Sequence, residues 1–195
     1  MEDRLTKTRS AIRREHAESS ILTSMVAFAV TVIATRAFLQ LTGFPQLCNS
    51  VLHIALALWG GLLLIVAAYL PLVIANRWAI QASALLSGIG FGLFIDEVGK
   101  FITQTNDYFF PPALSLIYGF ILLNVLLYRY FRRPPKVSSR HALYHALEGL
   151  QDFVDGDLDL AEAARMEAQL AIAKESNQDE LAALAYTLDG FVQKE

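Results

Sequence analysis

Asp96 and Glu97 stand side by side in an otherwise apolar run that opens at Gly88, and Lys100 follows Asp96 by four residues. Carboxylates hold cations or move protons, and an ammonium group holds anions. On a helix, residues at i and i+4 share a face, so Lys100 can pair with Asp96. Adjacent residues diverge by about 100°, so Asp96 and Glu97 cannot both face one partner. Charge inside an apolar span is costly enough that such a group marks a functional site or an ion pair.

The elements that must position these residues are helices in a bilayer. The chain has 195 residues, of which 54% are hydrophobic and 18% charged. That balance excludes an average soluble domain. The apolar residues gather in four runs near 20–41, 51–75, 79–103 and 112–131. Each is long enough to cross a hydrocarbon core of roughly 30 Å, which takes about 20 helical residues. The expected fold is all-α: a polytopic four-helix transmembrane bundle with a small soluble helical bundle at its C-terminus. Residues 1–19 form a basic N-terminal segment, 20–133 the membrane domain, 134–140 a Pro-rich basic linker and 141–195 an acidic three-helix domain. The N-terminus is a poor secretory signal, being too long in its apolar run and lacking a small-x-small cleavage site. The single cysteine, Cys48, excludes an intrachain disulfide.

Lys and Arg placement sets the expected orientation. Arg4, Lys7, Arg9, Arg13 and Arg14 precede the first span, Arg77 lies between the second and third, and Arg129, Arg132, Arg133, Lys136 and Arg140 follow the fourth. Segments 42–50 and 104–111 carry neither residue. The positive-inside rule then puts both termini in the cytoplasm. At about 1.5 Å per residue, Asp96 lies roughly 26 Å along its span from Trp78, and Arg36 roughly 22 Å from the start of the first. His53 and Asp107 fall near the same outer face. Arg36, His53, Asp96, Glu97, Lys100 and Asp107 thus form one expected cluster at the outer leaflet.

That cluster admits several chemistries. An anionic lipid headgroup or an ion would be held by Arg36, His53 and Lys100, with the carboxylates orienting those donors. A small proton- or ion-coupled transporter would need a polar path from the cluster towards Asn124 and Ser87. A lipid-acting hydrolase or transferase would use Asp96, Glu97 or His53 as acid or base, although no motif marks a nucleophile. A metal would take His53, Asp96 and Glu97; one histidine, no HExxH spacing and nearby cations count against it. The alternative to all of these is an ion-pair cluster that only joins helices. The expectation is a non-enzymatic membrane protein with no cofactor beyond bound lipid.

Gly88 and Gly92 form a GxxxG pair suited to close helix packing, within the bundle or along a homo-oligomer seam. The second span holds Gly60, Gly61 and Pro71, the last able to kink it. The basic residues Arg129, Arg132, Arg133 and Lys136 suit anionic headgroups on the cytoplasmic leaflet, and their membrane-proximal position argues against nucleic acid. Residues 141–195 carry twelve acidic and three basic side chains and suit a cytoplasmic protein partner. Three stripes fit amphipathic helices: Leu143, Leu147, Leu150 and Val154; Ala163, Met166, Leu170 and Ala173; Leu181, Leu184, Leu188 and Phe191. Asp159 with Glu162, and Asn177 with Glu180, have capping-box spacing. Residues 155–162 imitate the end of an EF-hand loop, but Phe153 stands where a ligand is required.

The string Phe94-Ile95-Asp96-Glu97-Val98-Gly99-Lys100-Phe101-Ile102-Thr103, followed by Asn106-Asp107-Tyr108-Phe109-Phe110-Pro111, resembles a motif of uncharacterised bacterial integral membrane proteins with four spans and a soluble helical tail. The resemblance covers about 20 residues, implies a bacterial inner-membrane location and carries no activity.

Overall fold

The computed structural model describes residues 11–41, 56–96, 111–133, 138–156 and 158–192. These residues form seven helices and no strand, and the chain divides into two compact units, one of residues 16–133 and one of residues 1–15 with 134–195.

The first unit holds α1 (Ala17–Leu41), α2 (Leu56–Val73), α3 (Arg77–Asp96) and α4 (Pro111–Arg132). Within α1, α2 and α3 lie stretches long and apolar enough to cross a membrane: Ala17–Phe38, Leu56–Val73 and Arg77–Asp96. Residues 51–55 and 97–103, expected in the second and third spans, lie outside the described residues. Few residues of these stretches are buried, and large apolar side chains such as Ile33, Leu58 and Leu72 are exposed. Helices apolar on all sides yet so little covered by protein are suited to lipid as their solvent.

Helix α3 packs against both α1 and α2, and α1 also packs against α4. Phe28 and Val32 of α1 and Ile117 of α4 form a buried cluster with Phe91, Ile95, Phe120 and Ile121 against it. The Phe91 and Phe120 rings stack at 4.1 Å between centroids.

Pro71 lies inside α2 without ending it. Its missing N–H leaves the carbonyl four residues earlier, at Ala67, without its helical donor. Ser83 on α3 supplies the replacement, its Oγ donating to the Ala67 carbonyl oxygen at 2.6 Å. In a bilayer no water could do this, so the neighbouring helix must.

Glycines set the spacing. A Cβ at Gly60 would lie 2.6 Å from the Gly90 carbonyl oxygen and 2.9 Å from the Phe94 nitrogen. A Cβ at Gly90 would lie 2.8 Å from the Gly60 carbonyl oxygen. On the α1 side, a Cβ at Gly88 would collide with the Ser24 carbonyl, and one at Gly92 would lie 2.9 Å from Thr31 Cβ. The Gly88–Gly92 pair therefore serves α1, while Gly90 with Gly60 serves α2.

The second unit holds α5 (Ser139–Asp155), α6 (Leu160–Lys174) and α7 (Asp179–Val192). Ser138 caps α5 by accepting from the His141 N–H, and Gly156, at φ 74°, closes it in the left-handed conformation. Asp159 and Glu162 make the expected reciprocal capping box on α6. Helix α7 starts at Asp179, with Gln178 providing the first carbonyl acceptor to Leu181 and Ala182. Its cap position is therefore Gln178 and not Asn177. Gly156 thus caps the end of α5 and Asp159 the start of α6.

These three helices share a core of Ala142, Leu143, Ala146, Met166, Leu170, Ala173 and Ala185. On α6 this is the expected stripe. On α5 it holds in part: Leu143 is in the core and Leu150 is partly buried, but Leu147 and Val154 are exposed, and the buried face is His141, Ala142, Leu143, His145, Ala146 and Gly149. The helix is turned by about one residue, roughly 100°, because its small residues admit Met166, whose Sδ lies 3.3 Å from where a Gly149 Cβ would stand. On α7, Leu181 and Leu188 pack against this core as expected, whereas Leu184 and Phe191 are exposed and Ala185 is buried. Lys174 and Asp189 join α6 to α7 at 2.6 Å.

Two stability measurements in detergent check these contacts. Ser83→Ala should cost about 1–3 kcal/mol by stranding the Ala67 carbonyl, and should cost almost nothing in a Pro71→Ala background, where residue 71 regains its N–H. Gly60→Ala should lose about 1–3 kcal/mol through overpacking, whereas Gly61→Ala, with open space around its Cβ, should leave the melting temperature unchanged or slightly raised.

Candidate functional site

Asp96 is the last residue of α3 and continues the row begun by Gly88 and Gly92, each one helical turn apart on the face towards α1. The contacts run in the same order along both helices. Ser24 meets Gly88, Phe28 and Thr31 meet Gly92, and Arg36 meets Asp96. Helices α1 and α3 are therefore parallel neighbours, as the first and third crossings of an alternating membrane protein must be. Ser24 and Ser87 hydroxyls, 3.4 Å apart, add a polar contact along the same seam.

At the end of that row the Arg36 Nε donates to Asp96 Oδ1 at 2.8 Å. The Asp96 side chain is only 3% exposed and that of Arg36 23%. A carboxylate buried this deeply needs a cation and hydrogen bonds to stay ionised, and the guanidinium supplies both. Of the six residues expected to gather at this end, the structure brings Arg36 and Asp96 together. His53, Glu97, Lys100 and Asp107 lie outside the described residues, so the metal set of His53, Asp96 and Glu97 has only Asp96 inside them, bonded to Arg36. Asn124 of α4 turns its side-chain amide back onto its own helix, donating to the Phe120 carbonyl at 2.9 Å.

The basic residues Arg129, Arg132 and Arg133 are exposed at the end of α4, and Arg132 lies 6.0 Å from the centre of the Tyr128 ring. Lys136 lies outside the described residues.

A second cluster, missed in the sequence, occupies the unit formed by α5–α7 and the segment ending at Glu15. Glu15, His145 and Glu148 bring one imidazole nitrogen and two carboxylate oxygens within 4.8 Å of one another. His141 stacks edge-on against His145 at 4.5 Å between ring centres. Burial, and next the neighbouring His145, hold the His141 imidazole below the ordinary value of 6.5, against the upward pull of a hydrogen bond to the Arg13 backbone and of Glu148. The sequence signal was the spacing of His141, His145 and Glu148 at i, i+4 and i+7, one helix face. That signal is masked by the leucine stripe one residue away, and Glu15 is remote in sequence.

No protein-family model, curated protein or solved structure matches the chain. Its function must be argued from the residues themselves.

The ion pair has a measurable signature. Asp96→Ala, which leaves the partly buried guanidinium without its carboxylate, should cost about 3 kcal/mol, the low end for a broken buried pair. The double variant Arg36→Met/Asp96→Leu should recover most of that loss in thermal unfolding of the detergent-solubilised protein.

Proposed function

We propose that this chain is a non-enzymatic, four-span protein of a bacterial inner membrane. Both termini lie on the cytoplasmic side, and the Arg36–Asp96 pair is the floor of an outer-leaflet site for a lipid headgroup. The observation that carries this reading is the 2.8 Å bond from Arg36 to a carboxylate that is 3% exposed. Asp96 takes up the guanidinium through Nε, one of its five N–H donors. The terminal amino groups of arginine form the planar fork that matches a phosphate. The fourth span is α4, whose 22 residues are long enough to cross and whose arginines close its cytoplasmic end. The parallel run of α1 and α3 supports alternating crossings, and basic residues at one end of each supports the orientation. The acidic helices α5–α7 form the small soluble bundle, suited by their charge to a basic surface on a cytoplasmic protein.

The test is retention of phosphatidylglycerol by protein purified from nanodiscs of that lipid mixed with phosphatidylcholine, counted by native mass spectrometry. The parental protein should hold phosphatidylglycerol selectively, and Arg36→Met/Asp96→Leu should lose that selectivity while remaining folded. Equal retention by the two proteins would make the pair a purely structural tie and overturn the reading.

A further inference from the structure

The unit containing α5–α7 holds a group with no structural reason to be left as it is. The His145 side chain is 9% exposed, and its Nδ1 makes no hydrogen bond. Yet that atom faces two carboxylates, lying 3.4 Å from Glu148 Oε2 and 3.8 Å from Glu15 Oε2. A neutral imidazole lone pair aimed at two anionic oxygens is repelled. A proton on Nδ1 would remove the repulsion, but it would draw the N–H into line with one oxygen, since hydrogen bonds weaken steeply off axis. No such alignment exists at this nitrogen. A metal ion makes no demand for linearity between ligands; it needs only their separation.

The separations fit. Zinc binds imidazole nitrogen and carboxylate oxygen at about 2.0–2.2 Å, which in a tetrahedral shell spaces neighbouring ligand atoms by about 3.4 Å. The two nitrogen–oxygen distances lie at that value and slightly above it, and the two carboxylate oxygens lie within 4.8 Å of each other. The donors are matched as well, because one imidazole and two carboxylates suit zinc or a neighbouring divalent transition ion, whereas magnesium and calcium favour all-oxygen shells. Glu148 Oε2 also accepts from the Glu15 backbone N–H at 3.2 Å. Such outer hydrogen bonds orient metal-binding carboxylates. Arg14 Nε stands 4.0 Å from the other oxygen, Glu148 Oε1, on a side chain that is 61% exposed, where solvent weakens its competition.

We propose that Glu15, His145 and Glu148 bind one divalent transition-metal ion of the zinc class, clasping the segment before α1 to α5 within this unit. The site stands independently of the headgroup reading, since it uses none of the same residues. Its likeness to a three-ligand zinc site leaves further coordination positions for water.

The experiment uses the full chain in detergent, stripped with a chelator and dialysed against zinc at pH 7.5, with bound metal counted by elemental mass spectrometry. Cobalt substitution serves as an optical readout of the ligand set. One zinc per chain is expected, with an absorption band in the cobalt form typical of nitrogen–oxygen coordination. Glu15→Gln, outside any helix and conservative in shape, should weaken zinc at least tenfold while circular dichroism stays parental. His145→Asn should abolish the cobalt band, and His53→Ala should leave affinity unchanged. The proposal is overturned if the parental chain takes up no zinc, if Glu15→Gln binds as tightly as the parent, or if His53→Ala removes the metal.

Discussion

Helix α3 touches two neighbours through its backbone, and the arrangement of the membrane unit follows from that contact. Side chains at positions 88, 90 and 92 would hold its neighbours a methyl group or more further away, a large displacement in an interior packed as densely as a molecular crystal. With glycine there, the parallel helix α1 closes along the 88–92 row. Asp96 is the next position on that row, so the approach that packs the helices also delivers a carboxylate to Arg36. On the opposite side, Gly60 against Gly90 brings α2 close enough for Ser83 to reach the Ala67 carbonyl.

Polar groups in these helices obey a strict rule, because lipid offers no hydrogen bonds in exchange. The carbonyl released by Pro71 is taken by a serine on another helix. The Asn124 amide returns to its own backbone, and Asp96 is met by a guanidinium. The serine and aspartate contacts cross between helices and the asparagine contact does not. Polar contacts thus reinforce the same α1–α3–α2 assembly that the glycines permit, and α4 joins mainly through the aromatic cluster around Phe28 and Phe120. A buried ion pair on its own contributes little net stability. It does fix one guanidinium at one place, which the proposed headgroup site would require.

The unit of α5–α7 uses the same device. Ala142, Ala146 and Gly149 present a shallow face, Met166 fills it, and the whole of α5 turns accordingly. The turn carries His141 and His145 inward and leaves Leu147 and Val154 outside. Two titratable rings are thereby buried against one another, with Glu15 and Glu148 beside His145.

What the sequence by itself determined is local. Runs of apolar residues specified the three helices long enough to cross a membrane, Asp159 and Glu162 specified a cap, and the GxxxG spacing marked a face for close packing. These depend on residues within a few turns of one another, so they are legible without the partner. The tertiary structure alone decided how each helix is rotated about its axis. That rotation chose Asp96 as the carboxylate for Arg36, gave Gly90 to α2 and Gly88 to α1, passed Ser83 to the Ala67 carbonyl, and brought Glu15 to His145. It is set by where small residues on one helix meet bulk on another, a match between distant parts of the chain that no periodicity records.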